Sequence, residues 1–384
     1  MIQTQKRCMS LCPCGCKPLL NALLTQLSIQ NLRNVSEASL ELSGGLSVFT
    51  GLNGAGKTSL LDAVHILGTG KSFTTSQLSK AIRDQQPALQ VVGRMKYGGG
   101  DSVIGIRRLR AGGGETRLSG APVKALSELA RELPLVLLNA DSLNALREGP
   151  EARRRLIDQM VFHVEHSYSS SWQRYHQALK QRNILLRKTR SGDDDVWTSE
   201  MAAVGEQVHQ ARERVTALLS VEVSEVLASM GVGFPDMSLV LRSGWAAGES
   251  LTSALNASAQ SDRQRGFTQV GPHRADLQCL LGSRPANEVL SRGQMKVLMS
   301  AMRVAQGRVL AEVTGRAPVF LLDDVGAELD GDNARAVFSV LAEKKAQVLA
   351  TAVSLGDLSR WANFAPLTVF HVEQGVITET KSVA

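Results

Sequence analysis

The chain has 384 residues, 43 % of them hydrophobic, which predicts two or three domains with enough apolar material for packed cores. Lys and Arg number 43 against 36 Asp and Glu; the net charge of +7 is compatible with a nucleic-acid partner but does not by itself select one. No stretch reaches the roughly 18 apolar residues of a spanning helix, so no membrane partner is expected and the chain is read as cytoplasmic.

Residues 1–24 stand apart. Four of the five cysteines, Cys8, Cys12, Cys14 and Cys16, fall within nine residues. An odd total and this crowding argue against a secreted disulfide framework. The run could bind a soft metal, but no Cys or His pair follows to close a zinc module, and an incidental, disordered extension is the preferred reading. Lys17 interrupts the apolar stretch after Lys6-Arg7 and no small-residue cleavage site follows, which argues against a signal peptide.

From residue 25 the pattern becomes strand-like. Residues 26–30 and 38–42 alternate apolar and polar around a turn at 31–36, and Gly44-Gly45 leads into a third strand, Leu46–Thr50. Gly51-Leu52-Asn53-Gly54-Ala55-Gly56-Lys57-Thr58 follows, matching G-x-x-x-x-G-K-[ST] at every fixed position. A strand before it and a helical stretch to Leu67 after it supply the context this loop needs. Its glycines let backbone N–H groups converge on phosphate oxygens. Lys57 then reaches the β/γ-phosphates and the Thr58 hydroxyl ligates Mg²⁺. Residues 88–118 predict a further antiparallel sheet with turns at the glycine triplets 98–100 and 112–114.

From about 124 to 230 the chain reads as helical. Glu151 to Arg190 holds no Pro or Gly, and its apolar residues, among them Leu156, Met160, Val164, Tyr168, Trp172 and Tyr175, recur at spacings of mostly three or four. A second run from Val196 to Met230 carries Met201, Val204, Val208, Ala211, Val215 and Leu218 in heptad-like order. The polar turn 191–195 joins them into a helical hairpin about 50 Å long. Residues 147–190 hold ten Lys or Arg and four Asp or Glu, most of the chain's excess charge. Such a face could track phosphates through Arg153, Arg154, Arg182, Arg187 and Lys188. A solvated helix face is the alternative, with Arg153–Arg155 pairing Glu148 and Asp158. Trp172 and Tyr175 fit core positions better than base-stacking ones.

Strand character returns at Met237–Leu241, residues 250–262 read as a surface loop or short helix, and from Asp276 the pattern is α/β. Leu290-Ser291-Arg292-Gly293-Gln294 precedes a helical run; Ser then Gly offers either an anion site or a plain N-cap. Pro318-Val-Phe-Leu-Leu-Asp323-Asp324 is an apolar strand ending in two carboxylates. Parallel to Leu46–Thr50, it would set Asp323 beside Thr58 through Mg²⁺ and turn Asp324 toward the γ-phosphate, where a carboxylate orients an attacking water.

Together these motifs resemble the ABC-type ATPases of the chromosome-maintenance (SMC/Rad50-like) group, and within it a bacterial recombination-and-repair branch. Lys71-Ser-Phe-Thr, the segments Gly149–Asp158 and Gly271–Leu277, and Asp323–Asp330 carry the likeness beside the phosphate loop. The resemblance implies an α/β, ABC-type P-loop ATPase head with mixed sheets around the P-loop helix, and an inserted helical lobe carrying the short hairpin. The divisions would be 25–123 and 263–384 for the head and 124–262 for the helical lobe. It implies a slow ATPase using ATP and Mg²⁺, with Lys57, Asp324 and Ser291 catalytic. Two heads would form an ATP-dependent homodimer, Ser291 and Gly293 of one closing on the γ-phosphate held by Lys57 of the other. Implied partners are single-stranded and gapped duplex DNA and the proteins RecO, RecR and RecA, in fork repair and the SOS response. Arg33 and Asn34 lie where relatives contact nucleotide, while His273-Arg274 would either sense nucleotide or fix a loop. Thr351-Ala352 stands where many relatives place a switch His. A transporter ATPase subunit is the first alternative, disfavoured because 234 residues and a charged hairpin separate Lys57 from Ser291. A DNA clamp that binds ATP without turnover is the second.

Overall fold

The computed structural model describes residues 23–97, 100–165, 167–188, 195–324, 329–343, 345–354, 356 and 366–383. The cysteine run and the segment 325–328 after Asp324 lie outside them. Strands β1 (Leu23–Leu32), β2 (Val35–Glu41), β4 (Ala88–Tyr97), β5 (Gly100–Leu109), β6 (Gly114–Leu118) and β7 (Ala121–Pro122) form an antiparallel sheet in the order β2-β1-β4-β5-β6-β7. One face of it is apolar because residues alternate along each strand: Leu27, Ile29, Leu89, Val91, Ile104 and Ile106 all point inward.

The second sheet is built differently. Strands β3 (Leu46–Thr50), β8 (Leu135–Leu138), β12 (Val319–Leu322), β13 (Val348–Ala352), β14 (Leu367–Glu373) and β15 (Val376–Val383) take the order β15-β14-β3-β13-β12-β8. All neighbours are parallel except β14 and β15. Strands β3, β12 and β13 are buried at every position, as a parallel sheet covered on both faces requires. Helix α1 (Lys57–Thr69) lies between the two sheets, with Leu60, Leu61, Val64, Ile66 and Leu67 in their shared core.

Further helices are α2 (Leu126–Glu132), α3 (Ala140–Asn144), α4 (Pro150–Val164), α5 (Tyr168–Lys188) and α6 (Asp195–Ser229). They are followed by α7 (Leu251–Arg265), α8 (Ala286–Val289), α9 (Arg292–Thr314) and α10 (Gly331–Glu343). A small sheet β11-β10-β9 combines β9 (Met237–Arg242), β10 (Asp276–Leu281) and β11 (Arg284–Pro285). Helix α9 packs against both β8 of the central sheet and α6.

Several expectations change. The stretch read as helical from 124 contains β8, because the apolar run Leu135–Leu138 pairs in parallel with β12 and completes the central sheet. The run 151–190 breaks between Val164 and Tyr168. Helix α4 continues against β10 while α5 turns to lie along α6, so tertiary packing, not a Pro or Gly at its end, stops the first helix. The hairpin is therefore unequal: 21 residues of α5 span about 32 Å and 35 of α6 about 52 Å. Its apolar seam runs through Met201, Val204, Val208, Ala211 and Val215, then passes to Leu219 and Val223 rather than Leu218. Tyr175 is core, as its spacing predicts, whereas Trp172 is partly exposed. Residues 251–265 form a helix, started by the Ser250 side chain accepting the Ser253 N–H.

Candidate nucleotide site

The phosphate loop runs from the end of β3 to the start of α1. Asn34 Nδ2 donates to the Gly54 carbonyl at 3.2 Å, and the Gly375 N–H donates to the Ala55 carbonyl at 2.8 Å. The turn between β1 and β2 and the turn between β14 and β15 thus grip it from two sides. Gly51 has φ 151°, and a Cβ there would meet the Val372 carbonyl at 2.2 Å, so only glycine lets the loop pass so close to β14. Lys57 is buried, with Nζ donating to the carbonyls of Gly51 at 2.7 Å and Leu52 at 3.0 Å. Its charge rests on the loop itself, with no carboxylate within ion-pair distance among the described residues.

Sheet order brings the distant half of the site alongside. Strand β13 separates β3 from β12, and all three run parallel, so their C-terminal ends lie together. Thr58 Oγ1 donates to Asp323 Oδ1 at 3.1 Å across 265 positions of sequence. Thr351 Oγ1, on the intervening strand, donates to the same oxygen at 2.8 Å and accepts the Asp324 N–H at 2.8 Å. Asp324 is left-handed, φ 55°, and this single hydroxyl ties that turn to the neighbouring carboxylate. Burial pushes the Asp323 pKa up and the charge of Asp324 adds to this, while the Thr351 and Thr58 hydroxyls and Lys57 oppose it.

These residues fit a nucleotide with a divalent cation. Asp323 is a partly buried carboxylate whose charged form is penalised, with a hydroxyl beside it able to complete a metal's oxygen set, and Lys57 is a buried ammonium held by loop carbonyls. Thr351 carried no signal in the sequence beyond its place in an apolar strand; a hydroxyl amid Val348–Ala352, on the strand between two phosphate-site halves, was the available clue.

The Lys71-Ser-Phe-Thr segment has a separate task. Asp62, fully buried on α1, accepts from the Ser72 hydroxyl at 2.7 Å, the Phe73 N–H at 2.9 Å, the Thr74 hydroxyl at 3.1 Å and Arg33 at 3.1 Å. It pins the segment after α1 to the turn that carries Asn34. Ser291 caps α9: its Oγ accepts the Gln294 N–H at 3.3 Å, and its own N–H donates to Gln294 Oε1 at 2.9 Å. Ser291 and Gly293 are both exposed. Within one chain the plain N-cap reading holds, and the exposed face of the cap is left open to a second molecule.

The basic residues singled out for DNA diverge. Arg182 is fully buried, donating to Asp262 at 2.8 Å, Thr268 at 2.7 Å and Thr198 at 2.9 Å, so it is unavailable to a phosphate backbone. Arg153 is likewise taken, in a two-point pair with Asp276 at 2.7 and 2.9 Å. Charge counting cannot foresee either, because both carboxylates lie 80 or more positions away. Arg187 and Lys188 are exposed, and Arg154 is half-buried.

The RecF/RecN/SMC N-terminal domain family model matches residues 23–378. The DNA replication and repair protein RecF of Pseudomonas syringae pv. syringae is 36 % identical over 361 residues, 93 % of this chain and 98 % of that protein. RecF of Stutzerimonas stutzeri is 37 % identical over 360 residues, 93 % and 97 % respectively. A solved structure of the recombination mediator protein RecF-ATPrS in the RecFOR pathway superimposes with TM-score 0.84 at 24 % identity, covering 94 % of this chain and 99 % of that one. An Smc head domain from Pyrococcus furiosus shares the fold more distantly, TM-score 0.55 at 17 % identity, covering 94 % and 96 %. With the family model and these relatives spanning nearly the whole described chain, and an ABC-type nucleotide site assembled at its sheet ends, the chain belongs to the RecF family of DNA replication and repair proteins.

Proposed function

We propose that the chain is an ATP-dependent DNA-binding protein that closes as a homodimer on gapped or junction DNA. In this reading it hydrolyses ATP slowly and acts in the cytoplasm with RecO and RecR to promote RecA loading and SOS induction. The observation that carries the reading is the Thr58–Asp323–Thr351 junction, which unites a phosphate loop with a second half-site 265 positions away. Bound Mg²⁺–ATP would supply the phosphoanhydride and the cation that withdraws its charge. Lys57 would exchange the loop carbonyls for β/γ-phosphate oxygens. Thr58 and Asp323 would hold the metal, and Gly51, Leu52, Asn53, Gly54, Ala55 and Gly56 would offer backbone N–H groups. Asp324, its backbone fixed by Thr351, would orient and deprotonate the attacking water; its carboxylate is shorter than the usual Glu, which favours slow turnover. Ser291 and Gly293 of the second head would close the site.

Light scattering after size exclusion, with and without ATP and gapped DNA, tests the reading. Wild type should dimerise only with ATP. Lys57→Ala should weaken ATP binding about 10- to 100-fold through loss of a charge-assisted contact. Ser291→Arg should bind ATP yet stay monomeric. A Ser291→Arg protein that dimerises and hydrolyses normally would overturn the two-head mechanism, and dimerisation without phosphate release would support the clamp that binds without turnover.

A further inference from the structure

The two family-signature segments outside the nucleotide site, Gly149–Asp158 and Gly271–Leu277, lie against each other. Arg153 pairs with Asp276, and Arg154 Nη1 donates to the Ala275 carbonyl at 2.7 Å. Arg212 of α6 binds Asp158 at two points, 2.7 and 3.0 Å, and donates to the Pro272 carbonyl at 2.7 Å; Tyr168 also donates to Asp158. The Tyr175 hydroxyl meets His273 Nδ1 at 2.6 Å, and His273 Nε2 faces the Thr268 carbonyl at 3.2 Å. Gly271, at φ 130°, sits where a Cβ would come within 2.6 Å of the Tyr175 hydroxyl. The turn 272–274 is thus clamped from three helices.

The charges around it do not balance. Asp158 and Asp276 are occupied by Arg212 and Arg153. Glu151 and Glu148 face Arg155, at 2.9 and 3.9 Å. Arg154 and the exposed Arg274 have no carboxylate within 4 Å among the described residues; Arg154 has a carbonyl, and Arg274 lies over the Phe267 ring, 5.6 Å from its centroid. Exposed Arg147, on the loop before α4, likewise has no carboxylate within 4 Å among the described residues. His273 does not share the load. Burial, with smaller contributions from Arg274, His176 and Arg154, pushes its pKa down to about 4, so it is neutral near pH 7. The result is two arginines, from segments 120 positions apart, on hydrogen-bonded backbone and with no carboxylate within 4 Å among the described residues.

We propose that Arg154 and Arg274 form a phosphate-backbone site for nucleic acid, set by the docking of the two signature segments. This rests on the DNA-binding reading above and deepens it by naming the contact. Guanidinium groups on a preorganised turn suit phosphodiester oxygens, and no base-reading element accompanies them, so the contact is blind to sequence.

The test measures binding of gapped duplex DNA by full-length protein with ATP across a salt series. Arg274→Gln removes an exposed side chain that lies over the Phe267 ring, and it should flatten the log–log salt slope by about 0.9; with Arg154→Gln the loss should reach about 1.8. Arg274→Lys should keep the slope, and Arg155→Gln, whose charge is already answered by Glu148 and Glu151, should leave it unchanged. Nucleotide binding serves as the folding control, and if Arg154→Gln impairs it, Arg274→Gln alone decides. An unaltered slope in Arg274→Gln while wild type binds DNA overturns this site and spares the DNA-binding reading. A protein-binding role is the outcome if that variant loses only a partner protein, and this also overturns the site. Wild type that fails to bind DNA at all overturns both.

Discussion

At the ends of β3 and β12, Lys57 is buried and Asp323 partly buried, and neutral groups answer both: the ammonium rests on two loop carbonyls, and the carboxylate on two hydroxyls. Between helices α5 and α7, Arg182 and Asp262 are buried completely, and each faces the opposite charge of the other. Arg182 reaches Asp262, Thr268 and Thr198, while Asp262 also accepts the Gln269 N–H and the Ser258 hydroxyl. Burying a charge is costly in both places. Where an opposite charge is in contact, the network fixes helices α5 and α7 and the turn at 268. Where only carbonyls or hydroxyls answer the charge, what is left is capacity for a ligand of opposite sign. An opposite charge in contact, rather than burial, separates the two.

The comparison breaks most visibly at Asp324. Asp324→Asn should bind ATP as wild type does but release phosphate about 100-fold more slowly or worse, since an amide cannot accept the water's proton. A wild-type rate would show that this side of the site holds no catalytic base.

On the closed side, Arg182→Gln strands Asp262 without its cation and should cost about 3–5 kcal/mol in denaturant unfolding. DNA binding measured well below the melting temperature should keep its salt slope. A lower slope with unchanged stability would return Arg182 to the surface, contrary to its burial. Pairing the variant with Asp262→Asn should recover part of the loss, because the stranded charge is then removed.

The gentlest probe is pH. His273 and His163 both have pKa values pushed down to about 4, in each case chiefly by burial. The unfolded chain, with histidines near 6.5, binds the extra protons, so stability present at neutral pH is lost progressively as pH falls from about 6.5 to 4. By pH 5.5 the expected loss is about 1 kcal/mol per histidine. His273→Gln should flatten that part of the melting-temperature profile, and an identical profile would show that His273 protonates freely.

Local signals were legible because each is written in neighbouring residues. Gly51–Thr58 carries its own turn chemistry, the alternation in β1 and β4 declares one buried face, and the run into Asp323 reads as a strand ending in carboxylates. Those features determined an α/β nucleotide-binding head before any contact was known. The break between Val164 and Tyr168 could not be read, since no Pro or Gly there forbids a helix; competing surfaces on β10 and α6 end it. Strand β8 hid in a helical stretch because four apolar residues suit either state until a sheet edge claims them. Thr351 looked like one more β-branched strand residue until strand order set it between Asp323 and the Asp324 backbone. The fates of Arg153, Arg154 and Arg182 were equally hidden. A charge count records the cation, but only the fold brings up, or withholds, a carboxylate 80 to 123 positions away. The sequence by itself determined where phosphate chemistry would sit, because that chemistry needs contiguous backbone; tertiary structure alone decided which charges remain free to use, because pairing is a property of distance in space.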